Sequence, residues 1–141
     1  SKNQKKSVDC FVAMSFKFPE YPRLEDFYEA MERAVEATKL PINLKRVDLE
    51  EGDYEISQKL MDMIYECDMF IGDFTLNPHN VYFEVGYARA LGKYVIQTAE
   101  NGTDLQFDTR NWITHFYSNA KQLQTKIKSA LENGYNTIIE K

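Results

Sequence analysis

The strongest constraint in this chain is an alternation of two hydrophobic periods. Short apolar runs of strand length take turns with stretches whose apolar residues recur every three or four positions, the pattern of strands alternating with amphipathic helices. Val8 to Ser15 reads as a first strand, and Leu24, Phe27, Tyr28, Met31, Val35 and Thr38 then follow helical spacing. Ile42 to Val47 alternates like a half-buried strand before Ile56, Leu60, Met63, Ile64 and Cys67 return to the helical period. Met69 to Phe74 makes a third strand, followed by a turn at Asn77 and Pro78 and a helix that Gly92 closes as its C′ residue. Tyr94 to Thr98 and Trp112 to Tyr117 read as strands four and five. Ala120, Leu123, Ile127, Ala130 and Leu131 mark a last helix that Gly134 can end.

Because parallel strands need crossover connections, this βαβαβαββα order predicts an α/β fold. The expectation is a flavodoxin-like three-layer αβα arrangement with a mostly parallel five-stranded sheet in the order 2-1-3-4-5. Such sheets bind ligands outside the carboxyl ends of their strands, which directs attention to the loops after strands one, three and four. At 141 residues the chain suits one domain. We assign it to residues 8–134, with residues 1–7 as a frayed tail and 135–141 as a C-terminal tail or linker.

Composition removes several classes of function. With 17 basic against 22 acidic residues and a net charge of -5, no attraction to a nucleic acid polymer or an anionic membrane is expected. No apolar stretch approaches the roughly 20 residues needed to span a bilayer, and the polar start lacks a signal-peptide apolar region, so a cytoplasmic protein is expected. Cys10 and Cys67 lie in apolar segments without CxxC spacing and read as free buried thiols. With only His79 and His115 besides, no metal site is expected, and the acidic run Asp48, Glu50, Glu51, Asp53 and Glu55 reads as a solvated loop, not a calcium loop. GxGxxG, GxxxxGK[ST], GxSxG and HExxH are all missing.

One segment carries chemistry. On the helix after strand three, Glu84 shares a face with Val81, Val85 and Ala88, so a carboxylate is aimed at the sheet. A buried charge must be hydrogen-bonded, protonated or open to a cleft. Asn77 or Asn80 can cap this helix. If Asn80 does, Glu84 falls in the first turn, where the helix dipole helps keep it ionised. Gly86 in mid-helix suggests close packing or ligand approach. Asp73 either contacts a substrate or caps the following turn with its side chain. Phe16, Tyr54, Tyr82 and Trp112 are candidate stacking platforms, Phe16 foremost because it follows strand one, though each also suits a core or rim. Arg89, five residues after Glu84, points away from its face, Lys93 suits the helix end, and Lys45 and Arg46 could meet a pyrophosphate.

The stretch Asn80-Val-Tyr-Phe-Glu84-Val-Gly-Tyr-Ala-Arg-Ala-Leu-Gly-Lys-Tyr-Val-Ile96 resembles the signature of nucleoside 2-deoxyribosyltransferase-like and Toll/interleukin-1 receptor (TIR)-like domains. Phe11 to Phe16 and Asp68 to Asp73 extend the similarity over roughly residues 8 to 133. The resemblance implies that Glu84 attacks or stabilises the anomeric carbon of a ribosyl group while an N-glycosidic bond breaks. It implies that Ala13, Met14, Ser15 and Phe16 border the pocket, with Asp73, Thr75 and Asn80 as further polar contacts. Deoxyribosyltransferases of this kind carry auxiliary acids where this chain has Gln58 and Pro78. Because nicotinamide leaves NAD+ as a neutral group without protonation, that departure favours a TIR-like NADase or cyclase, of the sort serving bacterial antiviral defence, over the two alternatives, a deoxyribosyltransferase or deoxynucleoside N-glycosidase and a noncatalytic nucleotide-binding or protein-interaction module. NAD+ is then a substrate and no cofactor is implied. The implied partners are a nucleotide or nucleoside and a second copy of the chain in a homo-oligomer.

Overall fold

The computed structural model describes residues 6–46, 58–106 and 112–141. The elements run β1 (Val8–Ala13), α1 (Arg23–Thr38), β2 (Ile42–Arg46), α2 (Gln58–Glu66), β3 (Met69–Asp73), α3 (His79–Ala90), β4 (Tyr94–Glu100), β5 (Thr114–Tyr117) and α4 (Ala120–Ile139). The sheet order is β2-β1-β3-β4-β5, and all four pairings are parallel. The expected architecture is therefore observed, in the fully parallel form.

Alternation along the strands explains the three layers. Val8, Cys10 and Val12 of β1 and Met69 and Ile71 of β3 join one core with Leu24, Phe27 and Met31 of α1 and Leu123, Ile127 and Leu131 of α4. Phe11, Ala13 and Phe70 point the other way, into a second core with Leu60 and Ile64 of α2 and Val81, Val85 and Ala88 of α3. A central parallel strand must be apolar on both faces to be covered on both, and every residue of β3 is buried.

Gly72 sets how closely α3 approaches the sheet. A Cβ there would land on Val85 Cγ2, well inside van der Waals contact. The missing side chain lets the face of α3 that carries Glu84 lie directly on β3.

Two helix ends differ from expectation. Gly92 does follow α3 in a left-handed conformation, with φ of 76°. Gly134, in contrast, does not close α4, which continues to Ile139, so residues 135–139 are helix and not a tail. The reason is packing. A Cβ at Gly134 would sit 2.8 Å from the Tyr94 ring and 2.9 Å from Met69 Cε, so this glycine brings the helix close to the sheet instead of ending it. Tyr135 beyond it is buried and donates its hydroxyl to the Lys6 carbonyl at 2.7 Å.

Candidate functional site

Glu84 lies on the inward face of α3 and is only 3% exposed. Asn80, one turn earlier, donates Nδ2 to Glu84 Oε1 at 3.1 Å. Among the described residues the second oxygen, Oε2, has no hydrogen-bond partner, yet no side-chain oxygen sealed from solvent lacks one, so Oε2 keeps a narrow contact with solvent. Burial pushes the Glu84 carboxyl up to about 7, against the smaller opposing effect of the Asn80 hydrogen bond. Near neutral pH this group is therefore divided between its protonated and ionised forms, and the ionised form is a more basic carboxylate than one in water.

The capping expectation fails in both registers. The position before α3 is Pro78, with no side-chain cap, and neither asparagine serves. Asn77 has φ of 50°, accepts from the Tyr82 hydroxyl at 2.5 Å and donates to the Asp104 carbonyl at 3.0 Å. Asn80 is instead spent on Glu84. Glu84 therefore falls in the second turn, beyond strong influence of the helix dipole, and burial dominates its proton affinity. Gly86 is exposed, and a Cβ there would meet nothing within 4 Å, so packing against the described residues does not explain it.

Asp73 and Thr75 belong to a separate, sealed network at the carboxyl ends of β3, β4 and β5. Asp73 Oδ1 accepts from the Thr75 amide at 3.0 Å, which is the turn-capping arrangement. Its Oδ2 accepts from Thr98 Oγ1 at 2.6 Å and from the Tyr117 hydroxyl at 2.8 Å. Thr75 Oγ1 lies 3.1 Å from the same hydroxyl and accepts from the Glu100 amide at 3.0 Å. Asp73 is fully buried, and desolvation raises its proton affinity against these hydrogen bonds. Its polar atoms are turned toward protein partners, and the network locks three strand ends together. Sequence reasoning missed Thr98 and Tyr117. A hydroxyl-bearing residue ending each of two apolar strands was the available signal.

The β1 exit supplies mixed material. Ala13 is buried in the α2–α3 core and Met14 in the α1–α4 core, so both side chains pack within the protein. Ser15 is 3% exposed, and its hydroxyl accepts from the Lys17 amide at 3.2 Å. Phe16 is half-buried. Since Ala13 pairs with Gly72, this loop leaves the sheet beside the one after Asp73. Among the described residues no hydrogen bond joins Glu84 to Ser15, Asp73 or Thr75.

The other candidates are accounted for individually. Arg89 donates Nε and Nη2 to Gln97 Oε1 at 3.2 and 2.5 Å and lies 3.8 Å from the Trp112 ring centroid, away from Glu84's hydrogen bond. Tyr82 packs against Phe74 at a tilt of 37°, with ring centroids 4.6 Å apart. Arg46 lies over the Phe18 and Tyr28 rings and pairs with Glu25 at 3.4 Å. Lys93 serves α2 and not its own helix, donating to the Tyr65 carbonyl at 2.6 Å. Tyr54 and the acidic run from Asp48 to Glu55 lie outside the described residues. Cys10 and Cys67 are free and buried. No cluster of potential metal ligands occurs among the described residues, and none of their helices is long and apolar enough to cross a membrane.

A cavity of about 700 Å³ opens over the ends of β3, β4 and β5, bordered by Tyr21, Arg23, Thr75, Asn77, Glu100 and Asp104. Glu84 is not in its wall.

The sequence matches no protein-family model and no curated protein. Solved structures do share its architecture. The CMP N-glycosidase BcmB of Clostridium botulinum superposes with a TM-score of 0.55 at 23% identity, over 86% of this chain and 98% of that one. The 2-deoxyribosyltransferase of Bacillus psychrosaccharolyticus superposes with a TM-score of 0.58 at 14% identity, over 83% and 90% of the two chains. That of Leishmania mexicana gives 0.51 at 21% identity, over 80% and 76%. The chain therefore has the fold of the nucleoside 2-deoxyribosyltransferase-like structures.

Proposed function

We propose that this protein breaks the N-glycosidic bond of a nucleoside or nucleoside monophosphate, by hydrolysis or by transfer, with Glu84 as the group that meets the anomeric carbon. The observation that carries the reading is the state of that carboxylate. It is buried, anchored through one oxygen by Asn80, and among the described residues has no hydrogen-bond partner at the other. In its ionised form Oε2 can form a bond to C1′ as the C1′–N bond breaks, or offset the charge of an oxocarbenium ion. The leaving base keeps the bonding pair and takes a proton from water. A water or an acceptor base then attacks C1′ and releases the carboxylate. The titration of Glu84 near neutrality supports this role, because a more basic carboxylate is a stronger nucleophile. The similar structures support the substrate class, since they comprise a CMP N-glycosidase and two deoxyribosyltransferases.

A second substrate, NAD+, is favoured by one observation. Gln58, at a position where an auxiliary acid is expected in a deoxyribosyltransferase, donates its amide to Asp62 at 2.8 Å, and Pro78 has no acid to offer. Nicotinamide leaves without needing one. The experiment offers concentrated protein CMP, dCMP, deoxyinosine and NAD+ separately and follows cytosine, hypoxanthine and nicotinamide by chromatography. Base release from CMP, dCMP or deoxyinosine that Glu84→Gln abolishes supports the proposal. Nicotinamide release alone selects the TIR-like reading, and no release from any of the four, with the protein also assayed under conditions promoting self-association, overturns both.

A further inference from the structure

The cavity over the carboxyl ends of β3, β4 and β5 has walls whose chemistry differs from that of the Glu84 site. Its volume of about 700 Å³ lies in the range of small-molecule pockets, roughly 300 to 1,000 Å³. Its floor is rigid. Thr75, 1% exposed, is tied to Tyr117 and to the Glu100 amide, and the Glu100 carbonyl accepts from the Thr103 amide and hydroxyl at 3.1 and 2.7 Å. The Glu100 backbone is thereby fixed on both sides, and its carboxylate is held in the wall.

The Glu100 ion pair is unequal. The Glu100 side chain is 14% exposed and accepts from the Tyr21 hydroxyl, whereas its cation, Arg23 at 3.3 Å, is 59% exposed. Arg23 also donates to the Tyr21 hydroxyl and lies over the Tyr21 ring, 4.6 Å from its centroid, but all three contacts are made by a largely exposed side chain, so the anion is the built part and the cation the replaceable one. Two further groups in the wall offer acceptors. Asp104 has no side-chain hydrogen bond or ion pair among the described residues, and Asn101 commits its Nδ2 to Ser118 Oγ at 2.5 Å, leaving its carbonyl oxygen available. Two carboxylates against one displaceable guanidinium make the cavity unfavourable to a phosphate and favourable to a positive group.

We propose that this cavity is a second small-molecule site that takes a cationic, hydrogen-bond-donor-rich ligand, a protonated amine on a hydroxylated frame, with the ammonium replacing Arg23 at Glu100. The site is independent of the glycosidic reading, since Glu84 takes no part in it.

Glucosamine is a suitable probe, with glucose and inorganic phosphate as controls, titrated into the full ¹⁵N-labelled chain and followed by amide chemical shifts. Saturable shifts confined to residues 100–104, 75–77 and 118 are expected with glucosamine, with glucose at least tenfold weaker and phosphate without effect. Arg23→Ala removes the competing cation and should tighten glucosamine binding about threefold or more, while Asp104→Asn weakens it by a similar factor. Both positions are exposed, so neither variant depends on core packing. Glu84→Gln should bind the probe unchanged, which separates failure of this site from failure of the proposed chemistry. Equal binding of glucose, any phosphate binding in the cavity, weaker binding by Arg23→Ala, or shifts spread over other acidic surfaces would overturn the inference.

Discussion

Replacing Glu84 with glutamine should uncouple stability from function in a way that pH reveals. In the unfolded chain this carboxyl titrates near its ordinary 4.5, whereas burial holds it at about 7 in the folded protein. Below pH 4.5 both states carry the proton and burial of a charge costs nothing. Between 4.5 and 7 the folded state binds more proton than the unfolded one, so the free energy of unfolding falls as pH rises. Above 7 both are ionised and the penalty is complete. At about 1.4 kcal/mol for each tenfold difference in proton affinity, this interval corresponds to about 3 kcal/mol. Glutamine is neutral, close in volume and able to accept the Asn80 hydrogen bond, so its own burial cost does not vary with pH. The stability of Glu84→Gln relative to the original chain should therefore rise by about 3 kcal/mol from pH 4.5 to pH 8, while base release is lost. Urea unfolding of both proteins at pH 4.5, 6 and 8 measures the difference. A difference constant within about 0.5 kcal/mol across that range would refute the buried-carboxylate argument.

Further expectations follow from the same contacts. Gly72→Ala places a methyl on Val85, whose branched side chain has little rotameric freedom in a helix, and should cost about 1 to 3 kcal/mol; thermal unfolding should show this cost at least halved in a Val85→Ala background. Tyr117→Phe takes one donor from the buried Asp73 carboxylate and should lower stability by about 1.5 to 3 kcal/mol by denaturant unfolding, a loss that Phe116→Tyr in the same chain should not restore. Gly134→Ala, which in an exposed helix adds about 1 kcal/mol of stability, should destabilise instead, because the methyl meets Tyr94 and Met69. Burial raises the proton affinity of both thiols, Cys67 to about 11, so a thiol-specific reagent at pH 8 should label neither Cys10 nor Cys67 until denaturant is added.

Much of the architecture was legible because period and burial are local properties of a strand or helix. The apolar runs at β1 and β3 and the spacing in α1 carry their own signature, whereas 2-1-3-4-5 is one of several orders that alternating strands and helices allow, and the pairing of β1 with both β2 and β3 selects it. Glu84 was legible too, as a charged residue on a face otherwise made of Val81, Val85 and Ala88. Helix ends were less so. Gly134 looks like a stop in sequence, but Tyr94 and Met69, both distant along the chain, make it a contact point.

The layering, the parallel sheet and the inward carboxylate are written into the chain's periodicity, since they depend on which side chains recur at fixed intervals. What each polar group near the sheet's rim is attached to depends instead on how the folded elements meet. Asp73 is bound to Thr98 and Tyr117 from two other strands, Asn80 holds Glu84 instead of capping the helix, and Glu100 meets Tyr21 and Arg23 across the sheet's end. Hydrogen bonds and desolvation act over a few ångströms in space, and residues separated by tens of positions become neighbours only when the strands have been laid side by side.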